Sequence, residues 1–300
     1  MVVLAGLSAF PITPADTAGR VDTHLLRKFV ARLVEAGVDS IGLLGSTGAY
    51  MYLDRAERLR AIEAALEETS GRTPVVVGIG ELRTDNAVHR AQDAKAAGAS
   101  AGLLAAVSYT PLTVDEVYEH FVTVARESGL PLVIYDNPFT THFRFTPELV
   151  ARLARVPGII AIKSIAGSPD ETSAHLHLTR ENAPEGFSLG YSADANSTEA
   201  MIAGADTWYS VIGGLFPGIC VEIVRAAQRG DAAEARRLNA QLDPVWDLFR
   251  QFSSMRVIYA LTDILGIAHI VPPRPILPLD ADARRRIAEV VAHLPAGIAK

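Results

Sequence analysis

Short apolar runs alternate along the chain with longer stretches in which apolar residues recur every three or four positions. The short runs are Gly6 to Ile12, Ser40 to Leu44, Pro74 to Val77, Ala101 to Ala106, Leu130 to Tyr135, Ile159 to Lys163, Phe187 to Gly190 and Thr207 to Val211. They have the length and turn punctuation of strands buried on both faces. Between the first two, Leu25, Leu26, Phe29, Val30, Leu33 and Val34 follow Asp22 and stop at Gly37, which predicts an N-capped amphipathic helix. Asp54 caps a second helix through about Glu68, and a third runs from Thr84 to Ala97 and stops at Gly98. Eight such units call for parallel strands joined by right-handed crossovers and closed on themselves. Beyond Pro217 the pattern is purely helical, with helices expected over Pro217 to Arg229, Asp231 to Phe252, Ser254 to Leu265 and Asp280 to Leu294. The reading is an α/β chain: a (β/α)8 TIM barrel over residues 1–215, then a C-terminal helical extension over 216–300 packed on it.

Composition narrows the function. A chain of 300 residues with 49% hydrophobic and 21% charged residues can bury a large core. The net charge of −6, with no basic block, argues against nucleic acid as a partner. The start, Met1 to Pro14, lacks a charged leader segment and reads as a first strand rather than a signal peptide; no run reaches membrane-spanning length. Cys220 is alone, so no internal disulfide forms, and a buried thiol in a reducing, cytoplasmic compartment is expected.

In a barrel of this kind the chemistry sits on loops at the C-terminal ends of the strands. Lys163 interrupts the apolar run Ile159 to Ile162 at such an end, and lysine is scarce, occurring at 28, 95, 163 and 300. A desolvated amine loses its proton readily and becomes a nucleophile for carbonyl carbon; the plain alternative is a snorkelling or ion-paired lysine. The second strand runs into Gly45-Ser46-Thr47-Gly48, two hydroxyls between glycines, suited to a carboxylate but also to an ordinary turn. Tyr109 follows the fourth strand and Tyr135-Asp136-Asn137-Pro138 ends the fifth. Histidines 24, 89, 120, 175, 177, 269 and 293 fall on predicted helices or in the C-terminal part, so no metal is expected.

The GSTG turn, the Tyr109 loop, YDNP, AIKSIAG with Lys163, and YSAD before the strand around Ser210 form an ordered set. That set resembles the dihydrodipicolinate synthase / N-acetylneuraminate lyase family of class I aldolases and lyases, over nearly the whole length. The resemblance implies a Schiff-base lyase that cleaves or makes a carbon–carbon bond, or eliminates water or ammonia, at pyruvate or another 2-oxo acid, without a cofactor. Lys163 would be the Schiff-base lysine, Tyr135 the proton shuttle, and Ser46 and Thr47 the carboxylate holders and relay. Tyr109 would reach into a neighbouring subunit, which implies a homo-oligomer, usually a dimer of dimers. Ser192 and Tyr209 would contact the oxo acid through their backbones. Two departures stand out. Ala49 and Tyr50 follow Gly48 where a glutamate is common. Thr140 stands where the lysine-biosynthesis enzymes carry a carboxylate-gripping arginine, so Thr140 and His142 are candidates to bind a different substrate. Alternatives are a true 4-hydroxy-tetrahydrodipicolinate synthase taking pyruvate and aspartate semialdehyde, or a non-catalytic binding relative. Arg55, Arg58, Leu82 and Ser108 match the positions of a lysine effector pocket, and no lysine feedback is expected.

Overall fold

A computed structural model describes residues 4–298; Met1–Val3 and the last two residues, to which the expected ranges extend, lie outside them. Among the described residues eight parallel strands close into one barrel in chain order. They are β1 (Gly6–Ala9), β2 (Ser40–Leu43), β3 (Val75–Gly78), β4 (Ala101–Ala105), β5 (Leu132–Tyr135), β6 (Ile159–Ile165), β7 (Ser188–Ser192) and β8 (Thr207–Ser210). β8 returns to β1 with Gly6 opposite Thr207. The molecule is a TIM barrel with additional C-terminal helices.

The helices start where sequence chemistry allows. Asp22 accepts from the Leu25 amide and Asp54 from the Glu57 amide, each satisfying a donor the helix itself cannot. Thr113 with Glu116, and Ser168 with Glu171, make reciprocal capping boxes. Helix Pro217–Gln228 follows β8, and its Arg225 pairs with Asp39, just before β2, at 2.8 Å. It therefore takes the place of the barrel's eighth helix.

Three expectations need correction. The helix expected over Asp231 to Phe252 is two, Ala232–Ala240 and Asp243–Phe252. Pro244 has no amide hydrogen to continue the ladder, so the chain turns at Gln241-Leu242 and restarts with the proline in its first turn. β6 does not end at Lys163 but continues to Ile165, and β7 runs on to Ser192, because Ser164 and Ile165 pair with Tyr191 and Ser192. A short helix, Pro138–Thr141, follows β5 where a loop was expected.

Two apolar layers result. One lies between strands and helices and extends from Leu7 through Phe216 and Trp246 to Ile287, so the C-terminal helices share it. The other fills the barrel, with Phe10, Leu103, Val133, Tyr135, Ala161 and Tyr209. Residues two apart in a strand share a face. Val133 and Tyr135, and Ala161 and Lys163, thus point inward together.

Gly42 and Gly45 leave room for Phe10: a Cβ at Gly42 would fall 2.1 Å from its ring. Gly42→Ala should lower stability by about 1–3 kcal/mol, the usual cost of overpacking a core, seen as a fall in the urea midpoint.

Candidate active site

Lys163 owes its position to register. Its Cα partners are Tyr135 on β5 and Gly190 on β7, so amine and phenol rise side by side from adjacent strands into the barrel's C-terminal mouth. The side chain is 6% exposed. Its ammonium nitrogen lies 3.9 Å from the Phe10 ring centroid, 5.1 Å from that of Tyr135 and 5.7 Å from that of Tyr209. Burial in this aromatic cup lowers the amine from an ordinary 10.5 to about 7, and the Asp194 carboxylate opposes the shift. A substantial neutral fraction at physiological pH is what nucleophilic attack requires.

Asp194, the first residue of the helix Asp194–Ile202 that follows β7, is buried and accepts from Trp208 Nε1 at 2.9 Å, the Val211 amide at 3.0 Å and the Ile212 amide at 2.7 Å. Burial pushes its carboxyl upward while these donors hold it back. It stood within the YSAD segment, but its role was not legible there, since its donors come from β8 and the turn beyond.

The phenol of Tyr135 is held from two sides. Ser46 Oγ lies 3.1 Å from it, and the Asn137 side-chain amide donates to it at 2.9 Å. Asn137, two residues beyond the tyrosine, is a second residue missed by sequence reasoning, although it stood within the YDNP motif. Asp136 between them faces outward. Burial raises its carboxyl to about 6, and it accepts from the Phe145 amide at 3.5 Å, supporting the following turn rather than the site.

The GSTG turn is bounded by two left-handed residues that are not glycine, Leu44 and Ala49, both at φ 55°. Such backbone is held in place only by its surroundings, and here it bends Ser46 and Thr47 into the mouth. A cavity of about 540 Å³ opens above Lys163, reached by Ser46, Thr47, Asn137, Thr140 and Ser192. Ser192 donates its hydroxyl to the Ser164 carbonyl at 3.0 Å. A smaller cavity of about 210 Å³ adjoins it, sharing Ser46, Tyr135 and Thr140 and walled by Tyr50, Met51, Tyr52 and Val107.

Three candidates are not brought into the cavity. Tyr109 is 97% exposed and lines neither space in its own chain. His142 sits at φ 58° past the short helix, exposed, and lines neither. Tyr209 lies beneath the lysine, fully buried, as part of the barrel's filling, and does not line the cavity. Among the described residues no group of three His, Cys, Asp or Glu side chains could hold a metal ion, and no helix is long and apolar enough to cross a membrane.

Residues 3–294 match the Dihydrodipicolinate synthetase family. The chain belongs to that family. Among family members, the 4-hydroxy-tetrahydrodipicolinate synthase of Methylococcus capsulatus is 33% identical over 280 residues, 93% of this chain and 94% of the relative. A dihydrodipicolinate synthase structure from Agrobacterium tumefaciens has 53% identity and a TM-score of 0.94, covering 97% of this chain and 98% of that one. A structure from Acinetobacter baumannii, described as a chloride-inhibited dihydrodipicolinate synthase complexed with pyruvate, is 26% identical with a TM-score of 0.88, covering 97% and 98%. As a Dihydrodipicolinate synthetase family member, the chain is an enzyme of the class I aldolase and lyase type.

The depressed amine also fixes a sign for stability. Between about pH 7 and 10.5 the unfolded lysine holds a proton that the folded one has lost, so folding gains as pH rises through that window. Below it the folded protein carries the full cost of a buried cation. Lys163→Met should therefore be more stable than the wild type, by a margin greatest below pH 7 and shrinking toward pH 10 in urea titrations. A margin independent of pH would show that the amine is not depressed.

Proposed function

We propose that Lys163 forms a Schiff base with the keto carbon of a 2-oxo acid, pyruvate in the simplest case. The neutral nitrogen adds to the carbonyl, the carbonyl oxygen leaves as water, and the resulting iminium draws electrons from the neighbouring carbon. That carbon can then lose a proton, or break or make a bond to a partner carbon. Tyr135 hands protons to and from the reacting atoms, with Ser46 and Asn137 fixing where its oxygen stands. Ser46, Thr47 and the amides of their turn hold the oxo acid's carboxylate, and Ser192 shapes the opposite wall. The observation that carries this reading is the buried, depressed amine standing beside a phenol on the next strand.

A second reading, synthesis of 4-hydroxy-tetrahydrodipicolinate from pyruvate and aspartate semialdehyde, draws support from the names of the curated relatives. Against it stands Thr140 at the cavity wall: a hydroxyl cannot give a carboxylate the paired, charged hydrogen bonds of a guanidinium. Position 140 therefore gives no grip on an aldehyde's carboxylate, and we favour a 2-oxo-acid lyase or aldolase whose partner substrate is held elsewhere in the cavity. The smaller cavity beside Tyr135 and the exposed Tyr109 support assembly in which Tyr109 of a second copy completes the relay, within a dimer of dimers. Arg58, buried over the Tyr50 ring and paired with Glu81 at 3.2 Å, supports an enzyme on which free lysine does not act.

Borohydride reduction in the presence of pyruvate should add the ligand's mass to Lys163; a folded protein that gains no adduct with any 2-oxo acid would refute the Schiff base. Tyr135→Phe should cut turnover by about 10²-fold or more, and Asn137→Leu by about tenfold, while both still form the adduct. Mixing Lys163→Met with Tyr109→Phe, each inactive alone, should restore activity, because one mixed site then holds both intact residues. No recovery after subunit exchange would place Tyr109 outside the neighbour's site.

A further inference from the structure

The larger cavity extends well beyond what a three-carbon acid occupies. From Lys163 and the GSTG turn it runs to the helix Asp243–Phe252 and the start of the next, where Trp246, Phe249, Arg250 and Ser253 line it. Its volume, about 540 Å³, lies in the range of pockets that enclose an extended small molecule. Among the described residues that line it, the charged side chains are Lys163, Asp194 and Arg250. The first two lie at the buried floor, where the Asp194 carboxylate favours the lysine's charged form against its burial.

Arg250 is different. It lines the cavity from the helix Asp243–Phe252, and one of its nitrogens donates to Asp247 one helical turn back, at 2.5 Å. Asp247 does not line the cavity, and a guanidinium carries five N–H donors, so most of the fork remains free. Thr140, across the mouth, brings no charge. On the Schiff-base reading the cavity has a carboxylate-holding end at Ser46 and Thr47, a covalent anchor at Lys163, and a further cation, Arg250, on a separate element.

We propose that Arg250 clamps a second carboxylate, so that the chain held on Lys163 is a 2-oxo diacid. This rests on the Schiff-base reading above, and holds in either direction of reaction. A diacid that is cleaved and a diacid made by adding a carboxylate-bearing aldehyde to pyruvate span the same space. A single guanidinium matches a carboxylate in charge and in paired geometry, whereas a phosphate dianion calls for a second cation, and none lines this end among the described residues.

The test uses borohydride trapping at Lys163 with diacids paired to monoacids of equal length: 2-oxoglutarate with 2-oxopentanoate, 2-oxoadipate with 2-oxohexanoate, 2-oxopimelate with 2-oxoheptanoate. In the wild type at least one diacid should reach half-maximal labelling at a concentration about five- to tenfold below its partner, the lower end of what a charge-assisted pair contributes at a partly solvated site. Arg250→Met should abolish that preference. The ratio is the readout, so a loss of folded protein, which lowers both members of a pair, does not imitate the effect. Asp247→Asn, which removes the guanidinium's present partner, should keep or widen it. No preference in any wild-type pair, a preference that survives Arg250→Met, or one that narrows in Asp247→Asn each overturns the clamp while leaving the pyruvate adduct standing. Failure of every 2-oxo acid to label Lys163 would instead remove the Schiff base, and the clamp with it.

Discussion

The withdrawal of one amine from water governs this molecule. A lysine costs several kcal/mol to bury as a cation, and the fold does not offset that cost with a close ion pair. It surrounds the nitrogen with the rings of Phe10, Tyr135 and Tyr209 and leaves Asp194 as the buried counter-charge, itself tied to one indole and two backbone amides. The cup exists because β5 and β6 are in the register that sets Tyr135 beside Lys163, and because Gly42 and Gly45 on the neighbouring strand and turn have no side chains to displace Phe10. Barrel closure, inner packing and amine chemistry are therefore parts of one arrangement.

Much of the barrel is legible from the chain because strand and helix periods are local signals. Eight apolar runs with turn residues at both ends, and Asp22 and Asp54 at helix starts, specify their elements without reference to anything distant. The strand ends were less legible. β6 and β7 run two residues further than their apolar runs because each supplies the other's hydrogen bonds, and pairing does not show in either sequence alone. The split of the long helix was readable in Pro244, although the apolar period continues through it.

The site divides in the same way. Lys163 is conspicuous as a charge in an apolar run, and the YDNP and GSTG segments announce turns at strand ends. Phe10 carries no such mark, being an ordinary core aromatic, and Asp194 stood within the YSAD segment with no sign of its contacts; only barrel closure brings them to the amine. Asn137 was within a motif already singled out, yet its role depends on its side chain folding back onto the preceding tyrosine. Tyr209 and His142 do not line the cavity in their own chain: the one side chain is packed beneath the lysine, and the other is left exposed beyond a left-handed turn.

Ser46, Tyr135 and Thr140 stand between the two adjoining cavities and belong to the walls of both. A partition with two faces cannot be redecorated on one side only. Enlarging residue 140 to admit or reject a different metabolite also reshapes the compartment next door, so a shift in catalytic taste during descent, or by an engineer's hand, drags the fit of that second compartment along with it.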